Sequence, residues 1–389
     1  MPPNMKALRE SQMEVHGYCD EKFAAVREAF ERNFTENGDV GASVAATVEG
    51  EFVIDLWGGY QDAAGERPWQ ENTIVNVYST TKTMTFITAL MMEDRGLLDL
   101  DAPVSEYWPE FAQKGKEGVR VKHFLSHSAG LPGFSRTLTT EELYDWDFVC
   151  NDLAHQEPWW EVGTQCGYHG FTQGFLIGEV VRRITGRSFR TYFREEIADK
   201  VGADFHIGVD PQEFNRIADL LPAKDTQPPP ATDPNSVSGR VIRSLKLGSD
   251  TPNTEGWRRA EVPAANGHGN ARSVVRAQTA LANGGKAFGA ELFSPKAVSR
   301  ALETQISGKD LVIGFEVEYA MGYAKPADWN RLSPNANSLW WGGAGGSTIC
   351  VDTDAHVCMS YVMNQMGNHL LGDPRGIRLH QALYASLLK

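Results

Sequence analysis

The sequence is short of cysteine, of long apolar runs and of positive charge. Its five cysteines, Cys19, Cys150, Cys166, Cys350 and Cys358, are scattered, odd in number and never in Cys-x-x-Cys spacing. That pattern excludes a disulfide scaffold, and free thiols in a reducing compartment are expected. No stretch reaches the length of a membrane span, and the opening residues, MPPNMKALRESQMEVHG, lack the apolar core of a secretory leader. A cytoplasmic location is therefore expected. With 37 Lys and Arg against 50 Asp and Glu, the formal charge is −13, a field that repels nucleic acid and anionic membrane. The expected partner is a small neutral or cationic molecule. No Gly-x-Ser-x-Gly elbow occurs, which argues against an α/β-hydrolase. His123 and His127 have i, i+4 spacing, but Phe124 stands where a zinc hydrolase would carry Glu, so no metal or other cofactor is expected.

What is present is apolar material for a sizeable core: 41% of 389 residues are hydrophobic, enough for roughly two to three units. Phe23, Val26, Phe30 and Phe34 share one face of a helix predicted over residues 22–34. A β-hairpin is expected next, from runs 42–48 and 51–57 joined at Glu49-Gly50. Residues 80–95 read as a buried helix stopped by Gly96, and 172–183 as a helix ending at Thr185-Gly186. Strand-like runs return at 339–351 and 356–364, and a helix at 376–388 closes the chain. Sheet at both ends and helices between them predict an α/β (α+β) fold, an antiparallel sheet flanked by helices with an inserted helical domain. The expected partition is 1–100 with 263–389 as a discontinuous α/β domain and 101–262 as the helical insertion. Within the insertion, residues 222–253, centred on Pro228-Pro229-Pro230, read as an extended surface excursion without helix or strand.

The chemistry is concentrated in three segments. Ser79-Thr80-Thr81-Lys82 follows the strand-like run 74–78 and opens the buried helix, with hydroxyl and amine one turn apart on one face. A serine hydroxyl is a poor nucleophile until a base takes its proton, and a lysine amine serves if it is held neutral. A helix N-terminus and burial both disfavour the ammonium form. The four-residue spacing alone is weak: it recurs at Ser386-Lys389, and the bland alternative for Ser79 is a helix cap. The second segment is the glycine-punctuated loop Gly163 to Gly170, whose Tyr168 can relay a proton and whose His169 adjoins it. The third is Trp340-Trp341-Gly342-Gly343-Ala344-Gly345-Gly346-Ser347, where glycines in strand-like sequence mark close approach of a ligand or of another backbone, or else a bulged edge.

In this order and at these separations, the three segments resemble the penicillin-recognising serine enzymes, the class C β-lactamases and DD-peptidases, and most closely the family VIII carboxylesterases. The likeness includes Leu125-Ser126-His127-Ser128-Ala129-Gly130-Leu131-Pro132, Asn266-Gly267-His268-Gly269, Met363-Asn364 and Gly372-Asp373-Pro374-Arg375. It implies a serine β-lactamase-like fold with Ser79 as acylated nucleophile, Lys82 as base and Tyr168 as proton partner. The Ser79 and Ala344 amides would form the oxyanion hole, with Trp341, Gly342, Gly343 and His169 about the substrate. Where β-lactamases carry Tyr-x-Asn this chain has Tyr168-His169-Gly170, and where they carry Lys-Thr-Gly it has Trp341-Gly342-Gly343. Losing that cation weakens recognition of an anionic β-lactam or peptide and leaves neutral esters, expected to be of short acyl chain, unaffected. Trp159, Trp160, Trp340 and Trp341 are candidates for an apolar pocket, with plain core packing the alternative. An acyltransferase, a β-lactamase or D-amino-acid peptidase, and a non-catalytic sensor are the competing readings.

Overall fold

The computed structural model describes residues 14–224 and 232–388. Pro228-Pro229-Pro230 lies outside the described residues. The predicted amphipathic helix is α1 (Ala24–Thr35), and the hairpin is β2 (Gly41–Val48) and β3 (Glu51–Gly59), with β1 (Val15–Cys19) added at the edge of β3. Glu49 and Gly50 have φ of 51° and 81°, so both turn residues are left-handed, which matches the twist of a two-residue hairpin. From the C-terminal end come β4 (Ser338–Gly342), β5 (Thr348–Asp352) and β6 (Val357–Met363). All six strands form one antiparallel sheet in the order β1-β3-β2-β6-β5-β4, so the two ends of the chain meet where β2 pairs with β6.

Strand alternation divides this sheet between two layers. Ala42, Val44 and Ala46 of β2, with Val357, Met359, Tyr361 and Met363 of β6, pack against Val26, Phe30 and Phe34 of α1 and Leu379 and Leu383 of α6 (Pro374–Leu387). The intervening residues face α5 (Ala271–Ala282): Ser43 Oγ accepts the Ala271 amide at 3.0 Å, and Thr47 bonds Thr279 at 3.0 Å. Beyond α5 lies α2 (Lys82–Asp94), in which every residue from Lys82 to Met92 is buried. Gly96, at φ 68°, ends it. The predicted 172–183 helix is α3 (Thr172–Thr185), capped by left-handed Gly186. One apolar core runs from α2 through α3 and the short helices of the middle of the chain.

Two expectations are corrected. The run 339–351 is two strands with a tight turn at Gly343–Ser347, because Gly345 and Gly346 take φ of 89° and 128°, which no extended strand accommodates. The 222–253 excursion contains a helix, α4 (Val237–Ser244), since the sequence past the prolines supplies Ser236, whose side chain accepts the Gly239 amide as an N-cap.

Candidate active site

Ser79 sits where three segments of different origin converge. Val75–Asn76 pairs with Gly267–Gly269, and the Val77 amide bonds Gly267 O at 2.9 Å. The chain then reverses at Tyr78, a non-glycine residue at φ 43°, a strained conformation held by its surroundings. Thr81 Oγ1 contributes to that hold, donating to Tyr78 O at 2.5 Å and accepting the Gly267 amide at 2.8 Å. Ser79 itself lies in a 3₁₀ turn, Tyr78–Thr81, and the α-helix begins only at Lys82. This departs from the predicted helix start at Thr80 and has a consequence: residues i and i+3 eclipse in a 3₁₀ turn, which sets Lys82 directly over Ser79.

Lys82 Nζ lies 3.2 Å from Ser79 Oγ, 2.6 Å from Gly170 O and 2.9 Å from Ala264 O. The residue is 0% exposed. Burial with no carboxylate among its contacts holds its pKa well below the ordinary lysine value. Both carbonyls come from braced loops. Asn266 bonds the Val262 amide and the carbonyls of Trp257 and Ala260, which fixes the bend carrying Ala264. Gly170 follows Tyr168, whose phenol donates to Ser79 Oγ at 2.5 Å and whose ring lies 4.6 Å from Lys82 Nζ. Burial pushes the Tyr168 phenol well above its ordinary pKa, partly offset by Ser79 and then by Trp341. Ser79, Lys82 and Tyr168 are thus brought together in one contact group.

The Gly343–Ser347 turn closes on this group from the sheet. A Cβ at Gly343 would stand 2.1 Å from Val77 O, so glycine is what permits the approach. Ser347 Oγ donates to Val77 O at 2.9 Å and bonds Thr80 Oγ1 at 2.9 Å. Among the described residues the Ser79 and Ala344 amides have no protein acceptor, while the flanking Gly343, Gly345 and Gly346 amides are all bonded. Arg375 braces the turn from behind, donating to Gly345 O at 2.9 Å and Gln365 O at 2.9 Å.

Not every sequence candidate faces this space. His169 is 0% exposed, and both ring nitrogens are engaged with backbone, Nδ1 with Gly167 O at 2.6 Å and Nε2 with the Leu131 amide at 3.1 Å. Burial lowers its pKa to about 3. It braces two loops and has no free atom for a substrate. Trp341 is likewise 0% exposed, packed 5.3 Å from the Tyr168 ring, so it offers no open surface to a ligand. Gly342 is the last β4 residue, paired with Thr348. Trp340 donates to Lys325 O, and Trp160 is a buried packing residue. Trp159 lies on a surface groove of about 600 Å³, its ring 3.8 Å beneath the Arg240 guanidinium. Beside the site, Tyr78 and Phe171 are half-buried, and their rings lie 6.3 Å and 6.5 Å from that of the fully buried Trp257. Sequence reasoning missed them, although Tyr78 and Phe171 are chain neighbours of Ser79 and Gly170. It also missed Asp310, whose Oδ1 accepts the Tyr168 amide at 3.1 Å. No local signal marks that residue, which lies 142 positions from its partner. His123 Nδ1 accepts the Arg120 amide, and His127 Nδ1 accepts the His169 amide.

The family model described as Beta-lactamase matches residues 28–383. Esterase/beta-lactamase LipL of Mycobacterium tuberculosis is 31% identical over 375 residues, covering 90% of this chain and 83% of that protein. The crystal structure of a family VIII carboxylesterase superposes with a TM-score of 0.90 at 40% identity, covering 96% of this chain and 100% of that one. A penicillin-binding protein homologue from Caulobacter crescentus gives 0.89 at 38% identity, with the same coverage.

Proposed function

The chain belongs to the beta-lactamase family, and within it we propose that the protein is a serine carboxylesterase acting through a Ser79 acyl-enzyme on small neutral esters. The observation that carries this reading is the set of three contacts at Lys82 Nζ. A neutral amine has two N–H bonds and one lone pair. Gly170 O and Ala264 O can only accept, so they take both N–H bonds, and the lone pair is left for the Ser79 hydroxyl proton. Lys82 is then the base, and no external charge is needed to activate Ser79.

Ser79 Oγ attacks the ester carbonyl as its proton passes to Lys82. The oxyanion accepts the unpaired Ser79 and Ala344 amides. Tyr168, held neutral by burial, gives its proton to the departing alcohol and regains one from the Lys82 ammonium. Water, activated by the same pair, releases the acid and restores Ser79. The half-buried rings of Tyr78 and Phe171, and the uncharged residue at position 341 where the β-lactamase pattern has lysine, favour an uncharged substrate. The family VIII carboxylesterase and LipL support the same assignment.

The test compares p-nitrophenyl butyrate hydrolysis by the wild type and by Ser79→Ala near pH 8. A loss of about a thousandfold or more in kcat/KM is expected, roughly 4 kcal/mol of transition-state stabilisation. Equal rates would sink the proposal. Product analysis with an added alcohol separates hydrolysis from acyl transfer, and nitrocefin turnover as fast as ester turnover would overturn the preference for esters.

A further inference from the structure

Among the described residues, two buried N–H donors flank Tyr168 without an acceptor: Trp341 Nε1 and His127 Nε2. Both residues are 0% exposed, and their rings lie 5.3 Å and 5.0 Å from the Tyr168 ring. Because His127 Nδ1 accepts the His169 amide, the ring proton is on Nε2. A donor withdrawn from water and left unpaired forfeits its hydration with no return, so such groups in a folded core call for a reason. The nearby Asp310 carboxylate is already taken. Its Oδ1 accepts from Tyr168, Val312 and Ile313 amides, and its Oδ2 accepts from Tyr319 Oη at 3.0 Å. One acceptor on the neighbouring ring is the Tyr168 phenol oxygen, whose proton is committed to Ser79 and which keeps free lone pairs. Trp341 is also among the groups that draw this phenol toward ionisation, against the larger effect of burial.

We propose that Trp341 is a positioning residue that donates its indole N–H to Tyr168 Oη as negative charge develops there, easing proton delivery to the departing alcohol. This rests on the reading of Tyr168 as the leaving-group acid. In that step the acyl C–O bond breaks and its electron pair goes to the alcohol oxygen. The Tyr168 O–H bond breaks, its proton moves to that oxygen, and the Lys82 ammonium, carrying the proton taken from Ser79, reprotonates the phenolate. The neutral phenol is a weak acceptor and the phenolate a strong one, so the contact stabilises the transition state more than the ground state. In the resting site the indole stands outside hydrogen-bond geometry, and the pairing tightens when the charge appears.

Leaving-group dependence tests this. p-Nitrophenolate departs without a proton, whereas ethoxide needs one, so two butyrate esters share the acyl step and differ in their need for Tyr168. Trp341→Phe is expected to lower kcat/KM on ethyl butyrate by about tenfold or more while p-nitrophenyl butyrate falls far less. Trp341→3-benzothienylalanine, which keeps the shape and replaces N–H by sulfur, is expected to give the same selective loss if the smaller phenyl ring loosens the fold. Equal losses on both esters in both variants would overturn the proposal, because misplaced packing does not distinguish leaving groups. Tyr168→Phe is the control. If it too costs both esters equally, the acid role of Tyr168 fails; if it discriminates and the Trp341 variants do not, the inference alone fails.

Discussion

Two basic side chains are buried at the proposed active site, and their partners differ in kind. Lys82 is 0% exposed and meets two carbonyls and a hydroxyl. Arg375 is 5% exposed and meets two carboxylates, Asp39 at 2.6 Å and Asp373 at 2.7 Å, besides the carbonyls of Gly345 and Gln365. An amine that loses solvent without gaining a counter-charge sheds its proton and becomes a base. A guanidinium, which does not lose its proton in proteins, keeps its charge and becomes a strut, here for the turn that carries Ala344. On the proposed mechanism, burial yields reactivity at one site and rigidity at the other, according to whether carboxylates accompany the basic group.

The sharpest way to break this contrast is to exchange the partners' chemistry. Lys82→Met removes the proposed base and is expected to cost about 10⁴-fold in kcat/KM with the fold retained. Lys82→Arg is expected to be as inactive and also to melt lower, since a permanent charge enters a pocket built for a neutral amine. A Lys82→Arg enzyme of native activity and melting temperature would refute the neutral-amine reading. In the wild type the rate should fall as pH drops through the depressed lysine pKa and stay level above it, because the base is competent only when deprotonated.

At the second site, Arg375→Met leaves Asp39 and Asp373 buried without a counter-charge and should cost about 3–5 kcal/mol, read from the urea midpoint. A loss under about 1 kcal/mol would mean that the pair is replaceable. Gly343→Ala drives a Cβ onto Val77 O and shifts the Ala344 amide, so kcat should drop about a hundredfold with the fold retained; unchanged kcat would remove this turn from the oxyanion site. The smallest effect concerns pH. Burial raises Asp39 to about 6, against the lowering by Arg375 and Tyr361. Between about pH 4 and that value the native state holds a proton which the unfolded chain has released. The stability Asp39 contributes is thus full below about pH 4 and is lost as pH rises toward 6. Asp39→Asn should remove that fall, seen as a flatter melting temperature across this window, and an unchanged slope would contradict the shift.

Much of the fold was legible because it is periodic. The α1 face, the hairpin at Glu49-Gly50 and the α2 stop at Gly96 rest on local patterns that tertiary packing did not overrule. The errors fall where sequence has two uses. Glycines within a β-rich run read as strand until the turn at Gly343 is seen to lie against Val77 O, and a polar, proline-rich stretch reads as open loop until Ser236 caps α4. For the site, the 79–82 spacing was visible, but the assignment of indoles to a pocket was not. Trp341 and Trp340 are strand residues whose facing depends on what covers the edge of the sheet, and both are buried there.

By itself, then, the sequence determined that Ser79 and Lys82 lie one turn apart, since three residues of a short helical turn fix that distance whatever the rest does. Only the tertiary structure decided what the lysine is. Its two carbonyl partners come from positions 88 and 182 residues away, and Tyr168 reaches Ser79 across 89. A pKa is a property of the surroundings rather than of the residue, and here those surroundings are assembled from segments that the chain order keeps far apart.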